Sequence, residues 1–134
     1  MIGVNVKVFH RNFLVEDWLP HLIEVPKKLR SGGTFADFGC GTGRSTIELA
    51  KLFPNAKFYG FDAFDKNIDM ANENVREAGE LSNIEFKHWK VEDGSPGKFD
   101  VVATFDLIHD LPIPREGLEV VRKSLTNDGV FLLM

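Results

Sequence analysis

The chain has 134 residues, which is enough for one domain and leaves no room for a second independent core. Its 43% hydrophobic and 27% charged residues are ordinary for a globular protein and exclude a disordered, collagen-like or coiled-coil chain. With 16 Lys and Arg against 20 Asp and Glu, the net charge is −4. This charge argues against nucleic acid as the main partner, because phosphate binding needs an excess of cations.

Cysteine content and hydropathy narrow the class further. The single cysteine, Cys40, cannot form an internal disulfide, and no apolar run reaches the about 20 residues that cross a bilayer. The N-terminus, MIGVNVKVFHRN, lacks the apolar block of a signal peptide. We therefore expect a cytoplasmic domain with no membrane partner. No metal site is predicted, because His10, His21 and His88 lack the spacing of metal ligands.

Residues 1–33 are expected to form an N-terminal helical segment. Residues 4–9 alternate apolar and polar side chains, as a short strand or an extended lead-in does. From Val15 the apolar residues follow helical spacing, with Asp17 as a candidate N-cap. Pro26 is predicted to end or kink this helix, and the glycines at 32 and 33 to stop it.

From residue 34 onward, short apolar runs alternate with helical stretches. The predicted strands are TFADFG, KFYGFD, IEFKHW, FDVVATFD and GVFLLM. The predicted helices are RSTIELAKLF, NIDMANENVREAG and PREGLEVVRKSL. KVEDGSPGK, between the third and fourth of these strands, is too short for a full helix and is predicted to be a loop. Strands that are apolar on both faces indicate an α/β fold with an open, mostly parallel sheet and helices on both faces.

The sequence DFGCGTG, from Asp37 to Gly43, lies at the first predicted strand-to-helix junction. Glycines there allow a tight turn and let a ligand approach the backbone. Neither register fits the dinucleotide pattern G-x-G-x-x-G, because its third glycine would fall on Arg44 or Thr46, and the P-loop pattern is absent. Asp37 would also repel a pyrophosphate, which disfavours a nicotinamide-dependent oxidoreductase. A cationic ligand without phosphate fits better, and S-adenosylmethionine is such a ligand.

The second of these strands ends in Asp62, about twenty residues beyond the glycine loop. A carboxylate at this position can accept hydrogen bonds from both hydroxyls of a ribose. The alternative is that Asp62 only caps the following helix. Its spacing from the glycine loop favours a nucleoside ligand.

The segments DFGCGTG, GFD and FDVVATFDLIHDLP together resemble the class I S-adenosylmethionine-dependent methyltransferases, over about residues 34–134. WLP before the first strand and HD after the fourth are similar to members that act on small molecules. The resemblance implies a Rossmann-like sheet with strand order 3-2-1-4-5, S-adenosylmethionine as cofactor and S-adenosylhomocysteine as product. It also implies methyl transfer to a small-molecule acceptor, with no nucleic acid as substrate. The alternative is an inactive fragment or regulatory module that only binds the cofactor or its product.

The resemblance assigns cofactor positions at the carboxyl ends of the strands. The residues of the glycine loop contact the amino-acid part of the cofactor, and Asp62 contacts the ribose. Ala63, Phe64, Val91 and Glu92 lie on the adenine side, and Phe105 lies at the end of the fourth strand. The assigned positions are Asp37, Gly39, Cys40, Gly41, Thr42, Gly43, Asp62, Ala63, Phe64, Val91, Glu92 and Phe105.

The roles of three residues, Lys90, His109 and Cys40, are each open to more than one interpretation. Lys90 stands where the family usually has an acid that meets the adenine amino group, so Glu92 or Asp93 is expected to substitute for it. His109 is the candidate general base, oriented by Asp106 or Asp110, or else it packs or caps its loop. Cys40, near a helix N-terminus that would lower its pKa, is a nucleophile in principle, but a spacer in the loop is the favoured interpretation.

The C-terminus departs from the family pattern of seven strands. Met134 falls at the end of the predicted fifth strand, so residues 34–134 are expected to form a core that is incomplete at its C-terminus. GVFLLM is then expected to be an exposed apolar edge strand, through which the chain could form a homo-oligomer.

Overall fold

The computed structural model describes residues 5–8, 24–104 and 114–133. The strands in these ranges are β1 (Asn5–Val8), β2 (Thr34–Phe38), β3 (Lys57–Asp62), β4 (Ile84–His88), β5 (Phe99–Thr104) and β6 (Leu125–Leu133). The helices are α1 (Glu24–Arg30), α2 (Arg44–Leu52), α3 (Asp65–Glu77) and α4 (Pro114–Lys123), with a 3-10 turn at Val91–Asp93.

The described strands form one parallel sheet in the order β1-β6-β5-β2-β3-β4. Strands β2 to β6 follow the predicted order 3-2-1-4-5, so the α/β fold class is confirmed. Because all strands run the same way, their carboxyl ends lie at one edge of the sheet, where ligands of open α/β folds bind.

Each face of the sheet has its own apolar core. On one face, α1 and α2 pack Val25, Leu29 and Leu49 against Phe35 and Phe58. On this face α3 also adds a cluster around the Phe86 ring. The other face is rich in aromatic rings and is covered by α4 and the 3-10 turn, through Val121 and Val91. Helices on both faces explain why the central strands are apolar throughout.

Pro26 is predicted to end or kink the helix that starts near Val15, and the described residues exclude an end at Pro26. Pro26 is the third residue of α1, which continues to Arg30. A proline in the first turn costs no intrahelical hydrogen bond, because the N–H groups there have no helical partner. The predicted glycine stop is confirmed, since Gly32 follows α1 with φ 94°. The predicted start around Val15 and Asp17 lies outside the described residues.

The prediction of an exposed C-terminal edge strand is wrong. β6 begins at Leu125, four residues before GVFLLM, and β1 pairs along its outer edge from Asn5↔Val130 to Val8↔Leu133. Of the two interpretations of residues 4–9, the strand is therefore correct. The N–H and C=O groups of an apolar edge strand need partners, and the chain supplies them from its own N-terminal region.

The connection between β4 and β5 is short, as predicted, and its one regular element is the 3-10 turn. No helix in the described ranges has the length and apolar character that crossing a bilayer would require.

Candidate cofactor site

The loop between β2 and α2 is built from three glycines in the left-handed backbone region. Gly39, Gly41 and Gly43 have φ values of 77°, 59° and 78°, which favour glycine over any residue with a Cβ. The Gly39 and Cys40 N–H groups donate to the carbonyl of Phe61 at 2.7 and 2.9 Å. The loop is therefore fixed to the end of β3.

The glycines of this loop are needed for different reasons. A Cβ on Gly43 would lie 2.4 Å from the Phe86 ring, and one on Gly60 would lie 2.3 Å from the same ring. Both positions are glycine because Phe86 packs against bare backbone. A Cβ on Gly41 would meet no atom within 4 Å. Gly41 thus exposes its backbone to open space, as a loop that receives a ligand requires.

Asp62 is the centre of the hydrogen bonding at this edge. One carboxylate oxygen accepts from the Gly41 N–H at 2.8 Å. The other accepts from the Phe64 N–H at 2.9 Å and from Asn67 Nδ2 at 3.1 Å. Asp62 is 7% exposed, so one buried carboxylate joins the glycine loop to the start of α3. Asp62 thus holds Phe64, the N-cap residue of α3, and the Asn67 side chain, but none of the described residues of α3 itself donates a backbone N–H to it. It also lies on the wall of a cavity.

Asp37 lies deeper than Asp62. Its carboxylate is 1% exposed and accepts a hydrogen bond from the Thr46 hydroxyl at 2.8 Å. Thr46 is a fully buried residue in the first turn of α2 that sequence reasoning did not identify. Its only sequence signal is a polar residue on the apolar side of a helix. The pair fixes the start of α2 beneath the glycine loop.

A cavity of about 290 Å3 opens beside Asp62 at the carboxyl ends of β2, β3 and β4. It is lined by Gly39, Asp62, Ala63, Trp89, Lys90, Val91 and Glu92. The structure thus brings together five predicted cofactor positions, and it adds Lys90 and Trp89. Trp89 was missed in the sequence; its indole N–H donates to the Gly94 carbonyl at 2.8 Å, which fixes the ring as a wall of the cavity.

Glu92 and Asp93, the two acids expected to replace the missing contact with adenine, have different surroundings in the structure. Glu92 lines the cavity together with Lys90. Asp93 instead accepts a hydrogen bond from the Lys90 N–H at 3.0 Å and so holds the 3-10 turn in place. Phe64 is 69% exposed and outside the cavity wall, although its N–H is bound by Asp62. Of Glu92, Asp93 and Phe64, Glu92 alone lines the cavity.

Cys40 does not have the properties of a nucleophile. Burial raises the pKa of its thiol, and the nearby carboxylates of Asp37 and Asp62 raise this pKa further. These effects outweigh the helix N-terminus that was expected to lower the pKa. The favoured interpretation of Cys40 as a spacer agrees with this environment.

His88 ties β4 to the loop after β3. Its Nε2–H donates to the Ala63 carbonyl at 2.9 Å, and the same nitrogen lies 3.9 Å from a carboxylate oxygen of Asp65. The sequence indicated a solvated or packed histidine and did not identify this contact, which joins residues 25 positions apart. It fixes the backbone of a residue in the cavity wall.

The remaining predicted positions are placed only in part. The Thr42 carbonyl accepts a hydrogen bond from Asn74 Nδ2 at 2.9 Å, which ties the loop to α3. Phe105 and His109, with the candidate orienting acids Asp106 and Asp110, lie outside the described residues.

The residues present fit S-adenosylmethionine. Asp62 lines the cavity and Asp37 is buried beneath the glycine loop, so two carboxylates give this end of the sheet a negative charge that suits a cationic ligand. Gly41 leaves its backbone accessible. The wall formed by Trp89 and Val91 is apolar, which suits an adenine ring.

Comparison with known proteins gives the family. The family described as "Methyltransferase domain" matches residues 29–134. "Uncharacterized protein RP789" of Rickettsia prowazekii is 40% identical over 98 residues, which are 70% of this chain and 18% of that protein. "Ribosomal RNA small subunit methyltransferase G" of Bacteroides fragilis is 30% identical over 109 residues, 79% of this chain and 52% of that protein. The chain thus spans between a fifth and about half of these relatives.

A solved structure carries the same fold together with a ligand. PKMT2 from Rickettsia typhi in complex with AdoHcy (S-adenosylhomocysteine) has a TM-score of 0.69 and 26% sequence identity, and the match covers 78% of this chain and 21% of that one. The match over most of the chain, the ligand of this neighbour and the geometry of the glycine loop agree. The chain belongs to the methyltransferase-domain family, within the class I fold whose cofactor is S-adenosylmethionine.

Proposed function

We propose that this chain binds S-adenosylmethionine in the cavity beside Asp62 and acts as the catalytic core for methyl transfer to a small-molecule acceptor. The observation that carries the proposal is the shared carboxylate of Asp62, which fixes the glycine loop and also lines the cavity. In this proposal residues 34–134 form the cofactor-binding core and residues 1–33 the segment that precedes it.

The proposed roles follow the surroundings of each residue. Asp62 accepts hydrogen bonds from the ribose hydroxyls, and the N–H groups that already bind it hold the carboxylate in place. Ala63 and Val91 form the sides of the adenine subsite, with Glu92 as the acceptor for the amino group. The glycine loop and Asp37 serve the amino-acid end. His109 stays a predicted general base, and Phe105 a predicted cofactor contact.

The bound cofactor supplies a methyl group on a sulfonium, which is already activated for displacement by a nucleophile. The protein therefore has to align donor and acceptor and exclude water. The fixed loop, the buried carboxylates and the rigid wall at Trp89 are suited to that task, because none of them has to reorganise when ligand binds.

Charge supports a small acceptor. The chain has a net charge of −4, and the charged residues that line the cavity are two acids, Asp62 and Glu92, and one cation, Lys90. An RNA backbone brought to this edge would be repelled rather than attracted. In this proposal the acceptor of this chain differs from the ribosomal RNA in the names of some of its relatives.

Titration calorimetry with S-adenosylhomocysteine tests the cofactor site. We expect the parent chain to bind, and Asp62→Ala to lose at least about 100-fold in affinity, since hydrogen bonds to a charged group contribute about 1.5–3 kcal/mol each. Asp69→Ala, which removes an exposed carboxylate from α3, is the matched control and should bind like the parent. Ala63→Leu narrows the cavity and leaves the Asp62 hydrogen bonds in place, so it should also weaken binding.

A folded parent that does not bind S-adenosylhomocysteine would overturn the proposal. The acceptor class is tested separately, by incubating the chain with methyl-labelled S-adenosylmethionine and a cell extract. An acid-soluble labelled product that separates from S-adenosylmethionine, and that is absent when the chain is omitted, supports a small-molecule acceptor. Label in the RNA or protein fraction would contradict it and leave the cofactor site intact.

A further inference from the structure

A second cavity, of about 240 Å3, lies on the sheet face opposite α2 and α3. Its lining includes Thr34, Tyr59, Phe61, Lys87, Lys98 and Phe99, and it shares no residue with the cofactor cavity. This aromatic cavity runs across the sheet from Thr34 and Phe99, which begin β2 and β5, to Phe61 and Lys87, which lie near the carboxyl ends of β3 and β4. The cofactor cavity lies at the carboxyl ends of β2, β3 and β4.

Aromatic rings form the floor of the aromatic cavity. The ring of Tyr59 lies 5.5 Å from that of Phe99 and 6.5 Å from that of Phe61, and the two phenylalanine rings are 5.8 Å apart. Phe61 and Phe99 are buried, whereas Tyr59 is half-buried and presents the accessible ring. A fixed and accessible ring face is a surface on which a planar ligand stacks.

Positive charge surrounds this ring. The exposed residues Lys87 and Lys98 line the aromatic cavity. Lys57 lies two positions before Tyr59 on the same side of β3 and lines an adjoining cavity with Tyr59 and Glu85. Two acids contact residues of this lining. Glu85 has a carboxylate oxygen 3.5 Å from Lys87 Nζ, and the Asp100 carboxylate accepts hydrogen bonds from Thr34 in the cavity lining. Three lysines against two acids give this face a positive balance in a chain whose net charge is −4.

The short connection after β4 leaves this part of the sheet open. The residues between β4 and β5 contain a single 3-10 turn, and α4 packs against β5 and β6 through Val121. Lys57, Glu85 and Lys87 are therefore exposed on the strands. The aromatic cavity is an opening to solvent with an apolar floor and a cationic rim.

We propose that the aromatic cavity binds one nucleotide unit, with the base stacked on Tyr59 and the phosphate held by Lys87 and Lys98. Its volume of about 240 Å3 is somewhat smaller than the about 290 Å3 of the cavity proposed for the larger S-adenosylmethionine, which suits a single nucleotide unit. Stacking needs only a π-face and does not select the base. The unit is either a free mononucleotide or one residue of a single-stranded RNA. This site is independent of the proposed methyl transfer.

Uridine 5′-monophosphate is the probe, because it lacks the adenine that the cofactor cavity would recognise. Calorimetry with saturating S-adenosylhomocysteine present should show binding of this mononucleotide, and uridine without the phosphate should bind at least about ten-fold more weakly. A hexamer of uridylate distinguishes the source. Much tighter and steeply salt-dependent binding of the hexamer indicates an RNA strand, and equal affinities indicate a free nucleotide.

Substitutions in the aromatic cavity test whether the nucleotide binds there. Lys87→Gln combined with Lys98→Gln should weaken binding about ten-fold or more, and Tyr59→Leu should do the same by removing the stacking surface. Lys27→Gln combined with Lys51→Gln is the charge-matched control and should bind like the parent, since both lysines are exposed on helices of the other face. Glu85→Gln should tighten binding, because it removes the acid beside Lys87.

If Tyr59→Leu does not fold, the Lys87→Gln and Lys98→Gln double variant still tests the proposal, because both lysines are exposed and their replacement should leave the fold intact. The proposal is overturned if neither the mononucleotide nor the hexamer binds to the folded chain. It is equally overturned if S-adenosylhomocysteine displaces the probe, or if the two lysine double variants bind alike.

Discussion

At the scale of single residues, Gly41 and Gly43 have similar backbones in different surroundings. Both have positive φ values, 59° and 78°. A Cβ on Gly43 would lie 2.4 Å from the Phe86 ring, whereas one on Gly41 would meet open space. The same substitution should therefore affect stability at one position and ligand binding at the other.

Gly43→Ala should destabilise the fold by about 2–4 kcal/mol, which combines left-handed backbone strain with an overpacked contact. Gly41→Ala should cost only the strain, about 1–2 kcal/mol, but it should weaken S-adenosylhomocysteine binding at least ten-fold by placing a methyl group on the exposed backbone. Urea unfolding and calorimetry measure the two effects. If both variants unfold at the same urea concentration, the contact between Gly43 and Phe86 is not the constraint that the structure indicates.

At the scale of elements, Asp100 joins the starts of three strands. One carboxylate oxygen accepts from the N–H and the hydroxyl of Thr34 on β2, at 2.9 and 3.3 Å. The other accepts from the Thr126 hydroxyl on β6 at 3.2 Å. Because Asp100 itself lies on β5, this one side chain sets the register of β2, β5 and β6 at the end of the sheet away from the cofactor cavity.

Asp100→Ala should therefore lower the free energy of unfolding by about 1–3 kcal/mol, since it leaves part-buried donors on Thr34 and Thr126 without their acceptor. The affinity for S-adenosylhomocysteine should change little. Asp128→Ala is the control, because it removes an exposed carboxylate from β6, the strand that carries Thr126. Its free energy of unfolding should stay within about 0.5 kcal/mol of the parent's. An equal loss in both variants, measured by urea unfolding, would argue against a specific role for Asp100.

Sequence patterns specify the elements that are determined locally. β3 was predicted with its observed bounds, Lys57–Asp62, because its apolar run is followed by a helix-starting segment. The positions of the glycine loop and Asp62 at one edge follow from the parallel sheet alone. The bounds of α1 could not be predicted, because a helix accepts a proline only near its start and the sequence did not show where α1 starts. The bounds of β6 could not be predicted, because the length of a strand depends on the strands that pair with it.

Contacts within the site depend on residues far apart in sequence. The buried pair of Thr46 and Asp37 and the contact of His88 with Ala63 arise only when the sheet has formed. The pKa of Cys40 shows the same limit. Its position near a helix start is visible in the sequence, whereas the burial that raises its pKa is not. Sequence therefore predicted residues that line the cavity better than the residues that support them.

At the scale of the whole molecule, β4 and β6 are kept from pairing with another chain in different ways. At the β4 edge, Glu85, Lys87 and His88 are exposed, and charged side chains discourage pairing with another strand. β6 is apolar from Val130 to Leu132, and instead of charge it has β1 paired along its outer edge. A homo-oligomer through β6 would therefore require β1 to leave.

Deleting residues 1–8 should consequently make the chain self-associate. The outer N–H and C=O groups of Val130–Leu133 would lose their partners, so a second copy could pair there. We expect size-exclusion chromatography with light scattering to show mass that increases with concentration. The amides of β6 that face β1 should exchange faster with solvent, whereas the alternate amides that face β5 should not. Deleting residues 1–4 is the control, because it keeps the paired strand Asn5–Val8 and should leave mass and exchange unchanged. If the two truncated chains behave alike, pairing with β1 is not what keeps β6 from associating.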